Sequence, residues 1–199
     1  IIDKAINKES ITDEYKSKLY LAKSEINYSS KEPDSLIVNL KNSINFSKDK
    51  NQNARSSFIL GQAYMQKGQK DSSKVYFTKA INLHKNKSSG IVVNSKLLNL
   101  NLSKESNEND FTKLSSDFRS FGHVPRINYY NAKKLLLINE DDKAKKLLKQ
   151  AIRINEKDKN LFTNAYNELF LNELKNKEYL SSSNYLDTLI TYYDTNSKS

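Results

Sequence analysis

The sequence contains no cysteine and no tryptophan, and its 199 residues include only two prolines and four glycines. The absence of cysteine excludes disulfides, thiol catalysis and zinc–thiolate sites within these residues. Because proline and glycine interrupt helices, their scarcity favours a chain that is mostly α-helical. No run approaches the roughly 18–20 apolar residues that a membrane-spanning helix needs. The sequence therefore predicts an all-α protein without a transmembrane segment.

Motifs for catalysis and for cofactor binding are also missing. The two histidines, His84 and His123, belong to no metal-binding or His–carboxylate motif, and no glycine-rich phosphate loop occurs. The acidic segment Asn139–Asp142 lacks the alternating oxygen ligands and the glycine of an EF-hand. It fits a turn that leads into a helix, where carboxylates face the positive end of the helix dipole. We therefore expect a protein that is not an enzyme, with no catalytic residue, cofactor or metal.

The net charge is +10, from 33 Lys and Arg against 23 Asp and Glu. A basic groove for nucleic acid is one interpretation. Only four of the cations are arginine, however, and no nucleic-acid motif is present. Lysine and asparagine, which share AT-rich codons, are both abundant, so the composition also fits a codon bias. We expect protein partners rather than nucleic acid.

The tetrapeptide KAIN occurs at Lys4–Asn7 and again at Lys79–Asn82. Related segments recur between and after these copies, and equivalent residues are separated by 34–38 positions: Ala5, Ser43, Ala80, Leu114, Ala151 and Leu189. A period of this length is typical of repeats made of two helices. The first copy lies at the end of a helix pair with three residues before it, so we expect residues 1–13 to close a preceding repeat of a longer protein.

Residues 54–87 resemble a tetratricopeptide repeat. Counted from Ala54, the large and small residues of such a repeat occur in order: Leu60, Gly61, Tyr64, Gly68, Phe77 and Ala80. Ser57 and Lys85 replace the Trp and Pro that are usual in this family. The resemblance implies a right-handed superhelical solenoid of about five helix pairs.

Four further units follow from the same pattern, so residues 14–199 are expected to form one solenoid. The predicted units are residues 14–50, 51–87, 88–122, 123–157 and 158–194. The first unit aligns through Leu21 and Ala22 at positions 7 and 8, which requires a turn about two residues longer than that of the second unit. The small residues at helix contacts are predicted to be packing sites: Gly61, Ala80, Ala132, Ala144 and Ala151.

The first helices of such repeats line the concave wall, which is where these solenoids bind partners. This geometry predicts a basic and apolar binding wall: Lys16, Lys23, Arg55, Phe58, Gln62, Met65, Lys96, Arg126, Tyr129, Lys133 and Leu136. A wall of this kind suits an acidic or C-terminal peptide segment. A solvated face with ordinary lysines remains the alternative. Chaperone-binding tetratricopeptide domains clamp a carboxylate with Lys, Arg and Asn, but Lys replaces most of the Asn positions here.

A wider resemblance covers roughly residues 50–199. The segments RSSFILGQAYMQKGQKDSSKVYFTKAI, INYYNAKKLLLINEDDKAKKLLKQAIR and YLDTLITYYDTNSKS are similar to the large tetratricopeptide lipoprotein of gliding motility and type IX secretion in Bacteroidetes. The resemblance implies a periplasmic scaffold, anchored at the outer membrane through an upstream lipid, that links secretion components to the outer-membrane translocon. The alternatives are the repeat-containing sensor region of a transcription regulator or histidine kinase, and a peptide-binding co-chaperone module.

Overall fold

A computed structural model describes residues 2–7, 10–119, 122–154 and 158–196. These residues form α-helices and contain no β-strand. The helices are α1 (Ile2–Ile6), α2 (Asp13–Ser29), α3 (Pro33–Phe46), α4 (Lys50–Gln66), α5 (Lys70–Leu83), α6 (Gly90–Leu102), α7 (Glu108–Asp117), α8 (Val124–Leu137), α9 (Asp141–Ile154), α10 (Lys159–Lys175) and α11 (Tyr179–Asn196). The all-α class predicted from the sequence is confirmed.

The chain divides into two compact units, Ile1–Leu102 and Ser103–Ser199. The first unit contains α1–α6 and the second contains α7–α11. The boundary falls inside the third predicted helix pair, between α6 and α7. Residues 120–122 and 155–157, where two predicted repeat boundaries lie, include positions outside the described residues.

Side-chain caps fix where several helices begin. The Thr12 hydroxyl accepts a hydrogen bond from the Tyr15 amide at the start of α2, and the Asp49 carboxylate accepts from the Asn51 amide at the start of α4. Asp158 caps α10 in the same way, and Asn107 and Asp110 form a reciprocal capping box at α7. Each cap satisfies an amide that has no partner within its own helix.

Four helix pairs share one connection: α2–α3, α4–α5, α8–α9 and α10–α11. Each pair is joined by three residues, one of which has a left-handed backbone: Lys31 (φ 57°), Gly68 (φ 71°), Asn139 (φ 59°) and Lys177 (φ 63°). Such a short connection folds the second helix back antiparallel against the first. The longer turn predicted for the first pair is therefore wrong.

The common turn changes the alignment of the first pair. Gly68 is position 15 of the repeat that starts at Ala54, and Lys31 is its equivalent in the first pair. With Lys31 at position 15, Ser17 and Ser24 fall at positions 1 and 8, and both residues are almost fully buried. Ala22, which the sequence predicts at position 8, is only half-buried. The Ser17 hydroxyl donates to the Ser43 carbonyl at 2.9 Å, a contact that joins α2 to the end of α3.

Each unit has its own hydrophobic core between successive helices. In the first unit the core includes Leu36, Leu40 and Leu60, and the fully buried ring of Phe77 lies between α4 and α5. In the second unit Leu135, Leu148, Leu169 and neighbouring alanines pack together. Helix contacts are mostly between neighbours in sequence, as a stack of repeats requires.

Candidate partner-binding cleft

A cleft of about 840 Å³ lies between α2 and α4 in the first unit. Its walls come from the first helices of two consecutive pairs, and the turns before α4 and after α5 close one end. The residues that line it are Leu21, Ser24, Glu25, Tyr28, Ser29, Leu36, Asp49, Asn51, Gln52, Arg55, Ser56, Ile59, Gln62 and His84. We refer to this site as the α2–α4 cleft.

The position of the cleft follows from how the helices are set against each other. The Gln52 side-chain amide donates to the Ser17 hydroxyl at 2.8 Å, so the N-terminal parts of α2 and α4 lie side by side. Because each is joined to α3 by three residues, both run antiparallel to α3 and therefore in the same direction. Helix α3 returns between them and contributes Leu36 to the lining. Leu21, Leu36 and Ile59 make part of the lining apolar, while amide, hydroxyl and charged groups supply the rest.

The charged groups of the cleft are Glu25, Asp49 and Arg55. The Asp49 carboxylate is engaged at the helix start, where it accepts from the Asn51 and Gln52 amides at 2.8 and 3.3 Å. His84 is held by its own turn, with Nδ1 3.0 Å from the Asn86 carbonyl oxygen. Glu25 and Arg55 are exposed on the two helices. The cleft can therefore bind polar and charged groups beside an apolar surface.

The five wall residues predicted on α4 and α6 lie in different surroundings. Arg55 and Gln62 line the cleft, whereas Phe58 and Met65 do not. The Phe58 ring lies 5.8 Å from the buried Phe77 ring, so it packs between α4 and α5. Lys96, on α6, is half-buried and is also outside the cleft.

The structure does not place Lys16 and Lys23 in the cleft with Arg55. The Lys23 ammonium pairs with Asp3 of α1 at 2.6 Å, and the Lys16 ammonium lies over the Phe46 ring at 5.6 Å from its centroid. The reason is the shared three-residue turn, because it shifts the repeat position of each α2 residue by two relative to the alignment predicted from the sequence. Glu25 then takes the place predicted for Lys23.

In the second unit the predicted wall residues hold α8 to α10. Arg126 pairs with Asp158 at 2.9 Å, and Lys133 pairs with Glu168 at 3.1 Å while lying over the Tyr129 ring. Burial alone would lower the pKa of Lys133, but Tyr129 and Glu168 raise it overall and keep the ammonium charged. These cations connect successive repeats.

The two apolar residues predicted for that wall are also engaged in packing. Tyr129 is 8% exposed and belongs to the core of the second unit, and Leu136 is partly buried against the same core. Most of the Tyr129 surface is therefore covered by packing within the second unit, and its role as a binding anchor stays a prediction.

The predicted packing residues are all in the interior. Gly61 is buried, and Ala80, Ala132, Ala144 and Ala151 have no exposed surface. The Ser73 hydroxyl donates to the Gly61 carbonyl at 2.7 Å across α4 and α5. A Cβ atom added to Gly61 would lie 2.5 Å from the Phe77 ring, so the ring occupies the space that the glycine leaves.

Two exposed residues of the cleft, Glu25 and Tyr28, escape the sequence analysis. When the two turns are given equal length, Glu25 aligns with Gln62, which also lines the cleft, and Tyr28 aligns with Met65, which the sequence predicts for the binding wall. The feature that would have identified them is the turn: Lys31 is the second residue after α2, as Gly68 is the second residue after α4. A lysine in a left-handed turn position is uncommon, and the sequence alone gives no reason to assign it there.

Within the described residues no group of three or more His, Cys, Asp or Glu side chains could hold a metal ion. No helix in the same residues is both long enough and apolar enough to cross a membrane.

Comparisons with known proteins agree on the type of fold. A tetratricopeptide-repeat family model matches residues 54–87, the repeat that the sequence pattern identifies most clearly. The chain therefore contains a tetratricopeptide repeat. A search of curated proteins found no significant match.

Several solved structures have a similar fold. Putative kinesin light chain TPR-like repeats from Podosopora anserina match with a TM-score of 0.62 and 11% identity, over 92% of this chain and 98% of that one. MamA residues 41-end from Desulfovibrio magneticus RS-1 match with 0.58 and 13%, over 90% and 96%. Another MamA crystal structure matches with 0.55 and 15%, over 88% and 97%. At these identities the likeness shows the tetratricopeptide-like fold alone.

Proposed function

We propose that the chain is a non-enzymatic scaffold that binds a segment of another protein in the α2–α4 cleft. The observation that supports this proposal is the cleft itself, about 840 Å³ between the first helices of two consecutive repeats. Its volume is in the range of sites that bury a small ligand or several side chains. Apolar side chains would supply contact area, and the exposed polar groups would orient the bound backbone.

The test is a selection of peptides from a random library on the full chain, followed by binding measurements on two matched variants. Ile59→Ser removes apolar lining from the cleft and is expected to weaken the selected peptides about tenfold or more. Val75→Ser makes the same kind of change at an exposed residue of α5 outside the cleft and should leave binding unchanged. Equal binding by both variants, or no selected peptide at all, would count against the proposal.

The finer proposal is that the partner belongs to a secretion and gliding apparatus. The segments at residues 50–199 that are similar to the type IX secretion lipoprotein support it, and so does the Lys- and Asn-rich composition. In this proposal the protein lies in the periplasm, is attached to the outer membrane through an upstream lipid anchor, and links secretion components to the translocon.

Deletion of the gene in its own host tests this role. Loss of secreted proteins from the medium and of surface spreading is expected, with recovery by the wild-type gene and by Val75→Ser but not by Ile59→Ser. Fractionation of the same cells should place the protein with the outer membrane. Unchanged secretion together with a cytoplasmic location would contradict the finer proposal and leave peptide binding by the cleft unaffected.

A further inference from the structure

The α2–α4 cleft differs in charge from the chain as a whole. The chain carries a net charge of +10, but the cleft is lined by two carboxylates, Glu25 and Asp49, against one guanidinium, Arg55. Asp49 is already engaged as the cap of α4. Among the described residues no ion pair or side-chain hydrogen bond engages the Glu25 carboxylate. Glu25 is thus the acidic group of the cleft that is free to bind a cation.

An aromatic ring stands beside this carboxylate. Tyr28 follows Glu25 by three residues on α2, so the two side chains share one face of the helix, and both line the cleft. The Tyr28 side chain is 68% exposed. A carboxylate next to an accessible aromatic face can pair with a guanidinium and stack on it at the same time.

We infer that the α2–α4 cleft selects partner segments in which an arginine is adjacent to apolar residues. The inference rests on the proposed function. The arginine would pair with Glu25 and stack on Tyr28, while the apolar residues would contact Leu21 and Ile59. Arginine is favoured over lysine because its planar guanidinium can bind a carboxylate through two hydrogen bonds and stack on a ring.

Arg55 limits the charge of the bound segment. Ser17 and Gln52 lie at a common level on α2 and α4, since their side chains are hydrogen-bonded. Glu25 is eight residues beyond Ser17 and Arg55 is three beyond Gln52, which separates them by about 7 Å along the helices at 1.5 Å per residue. That distance corresponds to about two residues of an extended chain. A second cation at that spacing toward Arg55 would be repelled, so the cleft disfavours segments with cations at both positions.

The test compares the residues that a random peptide library selects on the wild-type chain, on Glu25→Lys and on Glu14→Lys. The wild type should enrich arginine beside apolar residues, and Glu25→Lys should replace that enrichment with Asp and Glu. Glu14→Lys makes the same charge change on the same helix, at a residue outside the cleft that pairs with Lys18. It should select the same peptides as the wild type.

Affinity measurements on one selected peptide complete the test. Arginine-to-glutamine substitution in that peptide should weaken binding to the wild type about three- to tenfold, as expected for an exposed charge pair with ring stacking. The same substitution should weaken binding to Glu25→Gln by a smaller factor than binding to the wild type, because only the stacking on Tyr28 is then lost. Selected peptides without arginine enrichment, or enrichment that persists on Glu25→Lys, would overturn the inference while peptide binding stands. If no peptide is selected, both the inference and the proposed function fail.

Discussion

At the scale of single residues, Gly61 is a position in the first unit with no room for a larger side chain. Its absent side chain gives room to the fully buried Phe77 ring, which would be 2.5 Å from an added Cβ. Gly61→Ala should lower the free energy of unfolding by about 1–2 kcal/mol, because overpacking outweighs the gain of roughly 1 kcal/mol that alanine gives within a helix. Urea unfolding followed by circular dichroism measures the change.

Gly90 is the matched control for this substitution. It is the first residue of α6, and a Cβ added there would have no atom within 4 Å. Gly90→Ala should therefore be neutral or slightly stabilising. Equal effects at the two glycines would show that the Phe77 ring moves without cost.

Glu173 is a buried carboxylate that depends on one partner. The residue is 2% exposed, and its carboxylate lies 2.6 Å from the Lys145 ammonium. Lys145→Met should lower the free energy of unfolding by about 1–3 kcal/mol, since it leaves a buried charge unpaired. Lys143→Met is the control, because Lys143 pairs with the half-exposed side chain of Glu140, and should change stability by less than about 0.5 kcal/mol. Adding Glu173→Gln to Lys145→Met should recover part of the loss, and failure to do so would contradict this account.

Asp158 should make stability depend on pH in the acid range. Burial acts to raise its pKa, but the Leu161 amide and the Arg126 guanidinium outweigh it and hold the pKa below the usual value of 3.8. A carboxyl whose pKa is lower in the folded state stabilises fully above its unfolded pKa and loses that contribution as pH falls through the folded value. Stability should therefore decline below about pH 4.

Two substitutions separate the charge of Asp158 from its role as a cap. Asp158→Asn keeps an oxygen for the Leu161 amide and should flatten the acid decline with a small loss at neutral pH. Asp158→Ala removes the cap as well and should cost about 0.5–2 kcal/mol at neutral pH. Urea unfolding between about pH 2.5 and 7 measures the stability at neutral pH and its decline in acid. If both variants lose stability in acid as the wild type does, the decline comes from groups other than Asp158.

At the scale of elements, the shared three-residue turn sets the register of the helix pairs. Lys31 and Gly68 occupy equivalent left-handed positions, but only glycine adopts this backbone without steric cost. Lys31→Gly should raise the free energy of unfolding by up to about 1 kcal/mol, and Gly68→Lys should lower it by about 1–2 kcal/mol. Thermal and urea unfolding test both. A loss on Lys31→Gly would mean that the lysine side chain itself stabilises the turn.

The turn also explains where sequence analysis succeeded for the helix pairs and where it failed. The pattern around Gly61 and Ala80 identified the second pair, because small residues and a turn glycine coincide there. In the first pair both Ala22 and Ser24 are small, so the sequence cannot tell which one lies at the helix contact. The buried Ser24 and the left-handed Lys31 decide it, and neither follows from residue type.

At the scale of the whole molecule, composition and period are sufficient to predict an all-α repeat fold. Arg55 and Gln62, predicted for the binding wall, line the α2–α4 cleft, and Glu25 and Tyr28 line it although the sequence does not predict them. A repeat pattern shows where charged residues lie, but it does not show which of them form ion pairs with each other. In the sequence Arg126 and Lys133 look like part of a basic row, yet in the structure Arg126 pairs with Asp158, the cap of α10, and Lys133 pairs with Glu168 on α10.

The division into two compact units predicts that each folds by itself. The two hydrophobic clusters lie within residues 36–64 and 129–169, so neither is cut between Leu102 and Ser103. Separate fragments 1–102 and 103–199 should both be helical and should unfold cooperatively in urea. A fragment that ends after α3 lacks Leu60, Ala63 and Tyr64 of the first cluster, so it is the control and should lose most of its helix. An unfolded 1–102 or 103–199 fragment would contradict the prediction.

The nearest-neighbour packing within each unit has a mechanical consequence. A fold whose strongest contacts join distant parts of the chain resists pulling until it breaks at once, whereas here most contacts join a helix to the next one along. Each helix can therefore peel from its neighbour in turn, and it can dock again just as locally when the load is removed. Under tension the chain would lengthen in small reversible steps and behave as a soft spring.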